Sequence, residues 1–294
     1  MIYRIFATLI LLSVYSVCVF GEEQKLRAVI IDGQNNHDWK GTSPILKAAL
    51  ERSGRFDVDV ITSPPKGGDT NEFRPDFGKY DVVVLNYTDF GGGDTWSETV
   101  QRNFEKYVAD GGGVVAYHAA ISAFPQWTEF NKMIGIGGWC GRNEKSGPWL
   151  YVKDGQVVRD TSPGAAGHHG QQVEFQVVTF DAEHPVMKGL PPAFLHVKDE
   201  LYSKMRGPAE HVTILATADS KLSEGGSGRE EPVLLAVEYG NGRVFVTMLG
   251  HDPRSSRCVG FLATLSRGAE WAAIGKVTIP VPNNYPTGEK TSSE

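Results

Sequence analysis

Short apolar runs alternate with amphipathic stretches through the first half of the chain. KLRAVIID (25–32), FDVDVI (56–61), YDVVVLNY (80–87) and GVVAYH (113–118) each hold a brief run of aliphatic or aromatic residues. Polar or glycine-containing turns bound them, which is the pattern of strands. ILKAALERSG (45–54) repeats its apolar residues at helical spacing and stops at Gly54. Thr42 or Ser43 is expected to cap that helix, with Pro44 in its first turn. A second helix is expected from a cap at Asp94 or Thr95 to Ala109, ended by Gly111, Gly112 and Gly113. This β-α-β, β-α-β order predicts an α/β fold, a parallel sheet with helices on both faces. Such sheets meet ligands beyond the carboxyl ends of their strands. Two of those ends carry histidines: His37 follows the first strand and His118 closes GVVAYH.

The second half is less regular. A short helix is expected over 127–134, a glycine-rich loop over 135–148, and strands over 172–180 and 212–216. Residues 231–249 read as a hairpin turning at Asn241-Gly242, and 258–273 as a closing helix. No internal repeat or linker divides the chain, so one domain is expected over 25–280. The segment 281–294, with Pro282, Asn283, Asn284 and Pro286, reads as a loosely held tail.

Composition narrows the class. The 294 residues are 40% hydrophobic and 22% charged, as in ordinary globular proteins. A formal net charge of -6 lacks the basic footprint of a nucleic-acid binder. Residues 1–21 differ: Arg4 precedes an apolar run over 5–20, and Gly21 supplies a small residue for cleavage. This is the pattern of a secretory signal peptide, so a secreted or periplasmic chain with no stable membrane insertion is expected. A retained anchor is the alternative. Beyond that segment only Cys140 and Cys258 remain, as one disulfide or as two separate thiols.

Five stretches carry a resemblance: DGQNNHDWKGTSPILKAAL (32–50), GGGVVAYHAAISAFPQW (111–127), the segment 183–218 containing KDELY, EPVLLAVEYGNGRVFVTMLGHD (231–252) and CVGFLATLSRGAEWAA (258–273). In this order they resemble the ThuA-like, trehalose-utilisation family. That family's flavodoxin-like core is similar to class I glutamine amidotransferases. In those enzymes a cysteine nucleophile sits on the turn after a strand. The matching turn here is Tyr117-His118-Ala119-Ala120, with no thiol, so glutaminase chemistry is not expected. The resemblance implies carbohydrate metabolism through 3-keto disaccharides or glycosides, which a partner sugar oxidoreductase would supply. A proton next to such a ketone is acidic. Its removal by a base, with the enolate oxygen held, leads to elimination and hydrolysis or to isomerisation.

The candidates follow from position and resemblance, each beside a plainer reading. His118, Glu200 and His251 are the expected catalytic residues; a buried histidine, a helix-start acid (a part Asp199 fills equally) and a hairpin-closing turn are the plainer alternatives. His37, Trp39 and Arg142 are the expected sugar contacts, against a braced loop, a core aromatic and a helix cap. His37, His118, His169 and His251 form the expected metal set, for a divalent ion such as zinc or manganese, although no two share a motif such as HExxH. His184, His196 and His211 read as structural. Trp39, Trp127, Trp139 and Trp149 serve equally as sugar platforms or as core. A non-catalytic sugar-binding protein and a metal-dependent hydrolase of another substrate are the competing functions.

Overall fold

The computed structural model describes residues 24–90 and 92–294, so the expected signal peptide lies outside the described residues. The first half contains β1 (Leu26–Asp32), α1 (Trp39–Arg52), β2 (Phe56–Thr62), β3 (Val82–Leu85), α2 (Glu98–Ala109) and β4 (Gly113–Tyr117). Then come α3 (Thr128–Ile134), β5 (Trp149–Lys153), β6 (Gln156–Asp160), β7 (His168–His169), β8 (Val173–Thr179), β9 (Ala193–Asp199) and β10 (Tyr202–Ser203). The last elements are β11 (Val212–Ser220), β12 (Arg229–Tyr239), β13 (Gly242–Thr247) and α4 (Val259–Ile274).

The main sheet runs β2-β1-β3-β4-β13-β12-β11-β8-β9. β2, β1, β3, β4 and β13 pair in parallel. From β13 outward the pairing is antiparallel. The sheet is therefore mixed, with the expected parallel arrangement confined to one half. β3 and β4 are buried at every residue, which their unbroken VVVL and GVVAY runs require of strands covered on both faces. On one face α1 and α4 pack through Ile45, Leu46, Phe261 and Leu265. On the other, α2 and α3 pack through Val100, Phe104, Phe130 and Met133. Burial of α4 is nearly complete, from Val259 to Ala272.

Several local expectations are corrected. Asp38, not Thr42 or Ser43, caps α1, accepting from the Gly41 N–H at 3.0 Å. The Thr42 and Ser43 hydroxyls are turned inward and accept from Asn86, and Ser43 donates to Asp32. Pro44 consequently lies inside the helix. Ser97 precedes α2, because the Asp94 carboxylate accepts from the Gly67 N–H and the Gln34 amide. The β5–β6 hairpin and β9 fall where no strand was expected. The segment 281–294 is held rather than loose: the Leu195 N–H donates to Thr287 O at 2.7 Å and the Val259 N–H to Ser292 O at 2.9 Å. Tyr285 also packs on Phe194, and Ser293 bridges to Cys258. Among the described residues no helix is long and apolar enough to cross a membrane. Cys140 and Cys258 are both free thiols.

Candidate active site

His118 stands on the turn that follows β4. Its φ of 44° is left-handed, a conformation that a non-glycine residue adopts at some energetic expense and that recurs at functional turns. The ring is buried at 1% exposure. Nδ1 lies 2.8 Å from Met248 O, so Nδ1–H donates and Nε2 carries the lone pair. Burial, reinforced by the neighbouring His37, pushes the imidazole pKa down to about 3, and the ring stays neutral. Its buried Nε2 has no hydrogen-bond partner among the described residues.

His37 comes from the loop after β1. Asn35 Oδ1 accepts from its backbone N–H at 3.0 Å and lies 3.2 Å from its Nδ1. The Asn35 amide donates in turn to Asn86 Oδ1. The His37 ring sits 4.9 Å from that of His118 and 4.7 Å from that of His251. His251 follows β13, and Gly250 before it has a φ of 95° and lies against Tyr117, where a Cβ would come within 2.7 Å of the ring. His169 lies on β7, which pairs with β10. Its Nδ1 is 3.0 Å from Gly170 O.

Glu200, directly after β9, is the hub of these side chains. His37 Nε2 is 3.9 Å from Oε2; His251 Nε2 and His169 Nε2 are 3.3 and 3.9 Å from Oε1. Burial acts to raise the Glu200 pKa. The surrounding imidazoles, His37 and His251 foremost, outweigh it and hold the carboxyl at about 2. The adjacent Asp199 is buried, and it braces instead. It accepts from the backbone N–H groups of Glu200, Gly250 and His251 and pairs with His196 Nε2 at 2.8 Å. One carboxylate thus fixes the backbone under both Glu200 and His251.

The donor set fits a divalent ion. Ligand atoms of His37, His118 and Glu200 all lie within 4.8 Å of one another. Imidazoles that bind metals commonly donate their second N–H to an oxygen, which fixes the tautomer. His37, His118 and His169 each have Nδ1 within reach of such an oxygen. The three-residue group takes in Glu200 from the expected catalytic residues, while His169 and His251 approach its other oxygen.

Elsewhere the placement differs from expectation. Arg142, expected to meet sugar or cap a helix, has all five N–H donors engaged by Ser122 O, Ala123 O, Gly138 O and Asn131 Oδ1, leaving none for a sugar hydroxyl. Trp39 opens α1 two residues from His37, with Lys40 Nζ over its ring at 5.4 Å. His196 is buried against Asp199, away from solvent. Two further residues line the cluster: Tyr202, which was not singled out from the sequence, and Trp139, one of the tryptophans left between sugar platform and core. Tyr202 packs against His118 with ring centroids 4.2 Å apart, and Trp139 meets Tyr202 edge-on at 4.6 Å. Tyr202 lies only two residues beyond Glu200 in KDELY, and that proximity was the one signal available for it.

Residues 27–272 match the family model described as trehalose utilisation. Among solved structures, a protein described as ThuA-like from Parabacteroides merdae is 50% identical, with 92% of this chain and 98% of that one covered and a TM-score of 0.89. A second ThuA-like protein, from Bacteroides uniformis, is 18% identical over 90% of this chain and 97% of its own, with a TM-score of 0.59, and so shares the fold. No curated protein matches the chain.

Proposed function

The chain belongs to the trehalose-utilisation (ThuA) family, and from that premise we propose that it processes an oxidised sugar, a 3-keto disaccharide or glycoside, by removing the proton beside the ketone. The observation that carries this reading is the shared orientation of three imidazoles. Each has Nδ1 beside an oxygen, and each turns toward Glu200. His37, His118 and Glu200 would hold a divalent ion, zinc or manganese by donor type. When bound, such an ion supplies charge that polarises a carbonyl oxygen.

The chain's own groups take the remaining roles. His118, held neutral, and Glu200, held ionised, suit ligation better than proton removal. His169, at 41% side-chain exposure, is the most accessible imidazole of the cluster and serves as the base. Its Nδ1 is beside Gly170 O, which leaves the Nε2 lone pair toward the cleft. Nε2 takes the C2 proton of the keto ring. The C–H electron pair then forms the C1–C2 double bond, the C1–O bond breaks, and the departing oxygen takes up a proton. Alternatively the C–H pair forms a C2–C3 double bond, a proton passes from the C2 hydroxyl to the former ketone oxygen, and His169 returns its proton to C3, which gives the 2-keto isomer. His251, with Nε2 3.3 Å from Glu200 Oε1, keeps that carboxylate oriented. A sugar oxidoreductase acting first would make the ketone, and the expected signal peptide would place both steps outside the cytoplasm.

The test is to incubate the protein with a 3-keto disaccharide in deuterated water and follow the sugar by NMR, with and without a chelator. Loss of the C2 proton signal or release of a free sugar is expected. Chelation or His118→Ala abolishes it, and His169→Ala slows it by about 10² to 10⁴. A spectrum identical to the buffer control, with the sugar nonetheless bound in calorimetry, would replace this reading with that of a binding protein.

A further inference from the structure

The fold separates tryptophans that the sequence could not. Trp127 packs in the core on Phe124 and Phe130. Trp149 lies under the guanidinium groups of Arg206 and Arg229. Trp139 instead borders the cleft, its ring 6.3 Å from that of His169. It also walls a cavity of about 760 Å³ whose lining includes Phe90, Cys140, Asn143 and Glu144. That volume is in the range of small-molecule sites.

The segment presenting Trp139 is strained and braced. Trp139 and Cys140 are consecutive left-handed residues, with φ of 54° and 49°. Such strain persists only where the surroundings over-determine it, and it clusters at ligand clamps. Here Arg142 pins Gly138 O, just before Trp139, to the 122–123 backbone. Gly167 lies directly against the indole, where a Cβ would come within 2.5 Å of Trp139 Cδ2. The bracing leaves an aromatic surface between the histidine cluster and the cavity.

We propose that this cavity is a subsite for a second, uncharged sugar ring, so that the substrate is a neutral disaccharide with its oxidised ring at the histidine–Glu200 cluster. This rests on the reading of that cluster given above. An aromatic wall beside polar side chains suits a sugar ring, whose apolar C–H face stacks while its hydroxyls find partners. Asn143 and Glu144 are the side chains at hand for those hydroxyls. An anionic ring is disfavoured. Among the described residues Arg142 is the sole cation lining the cavity, and all its donors are already engaged.

Turnover of a 3-keto disaccharide is compared with that of the methyl 3-keto glycoside in wild type, Trp139→Ala and Trp139→Phe. The expected result is a KM at least tenfold higher for the disaccharide in Trp139→Ala, a several-fold smaller rise for the methyl glycoside, and substantial rescue by Trp139→Phe. An equal change for both substrates overturns the subsite. A second arm needs no catalysis: alkylation of Cys140, read on its peptide by mass spectrometry, is followed with and without the unoxidised disaccharide. Protection in wild type that Trp139→Ala abolishes supports the subsite even if neither keto sugar is turned over, in which case the chemical reading alone fails. Absence of protection together with absence of a selective KM effect overturns the proposal.

Discussion

Two clusters of histidine and carboxylate lie back to back in this molecule, and they differ in how fully the carboxylate is engaged. Asp199 and His196 are both buried, and the carboxylate is saturated by one imidazole and three backbone N–H groups. Glu200, its immediate neighbour, faces a cleft where the His118 Nε2 lone pair has no partner among the described residues. The first arrangement is a closed brace. The second is a set of donors awaiting something to hold. Residue type does not distinguish them, whereas saturation of the carboxylate by buried donors does.

If this contrast is right, damage to the brace should appear in stability and damage to the cleft in ligand affinity. The largest effect is expected from Asp199→Ala, which strands a buried imidazole and three N–H groups. Urea unfolding should show a loss of about 3–5 kcal/mol. Next comes pH. Burial acts to lower the His196 pKa, but Asp199 and Cys258 outweigh it and raise it from 6.5 to about 9. Its contribution is fully present below about pH 6.5 and is lost as pH rises through about 9, a change on the order of 3 kcal/mol. His196→Gln should flatten that part of the wild-type profile, and an unaltered profile would show that the pair is not charged.

The cleft should respond in the opposite way. Glu200→Gln should leave metal-free stability within about 0.5 kcal/mol of wild type, while zinc or manganese affinity by calorimetry falls tenfold or more, at least about 1.4 kcal/mol. A large loss of stability with unchanged affinity would reverse the roles given to the two acids. The smallest effect is expected at Asp38, whose cap on α1 lies beside His37. Asp38→Ala should lower stability by about 1 kcal/mol, read from the thermal midpoint.

The same contrast explains what the sequence could convey. The parallel half was legible because β3 and β4 are unbroken apolar runs and the α1 and α2 segments follow helical spacing. His118 and His37 were legible for the same reason, since each sits where such a strand must end. Glu200 and Asp199 were not separable: they are consecutive acids in KDELY, and only the packing of β9 shows which is buried. Arg142 is buried by backbone carbonyls that converge from 122–123 and 138, segments whose meeting no local pattern announces. The α1 cap was misplaced because Thr42 and Ser43 answer to Asn86 and Asp32, more distant in the chain than a cap's own helix.

The cleft draws its side chains from residues 37, 118, 169, 200 and 251, which belong to five separate strand ends. No fragment of the chain contains it, and contacts of such sequence separation form late and slowly in folding. Occupancy of the cleft therefore reports on the finished molecule as a whole. A ligand bound there would stabilise only the native state, by an amount that grows with the logarithm of its concentration. The rate at which binding capacity returns during refolding would then time the last long-range closure of the chain.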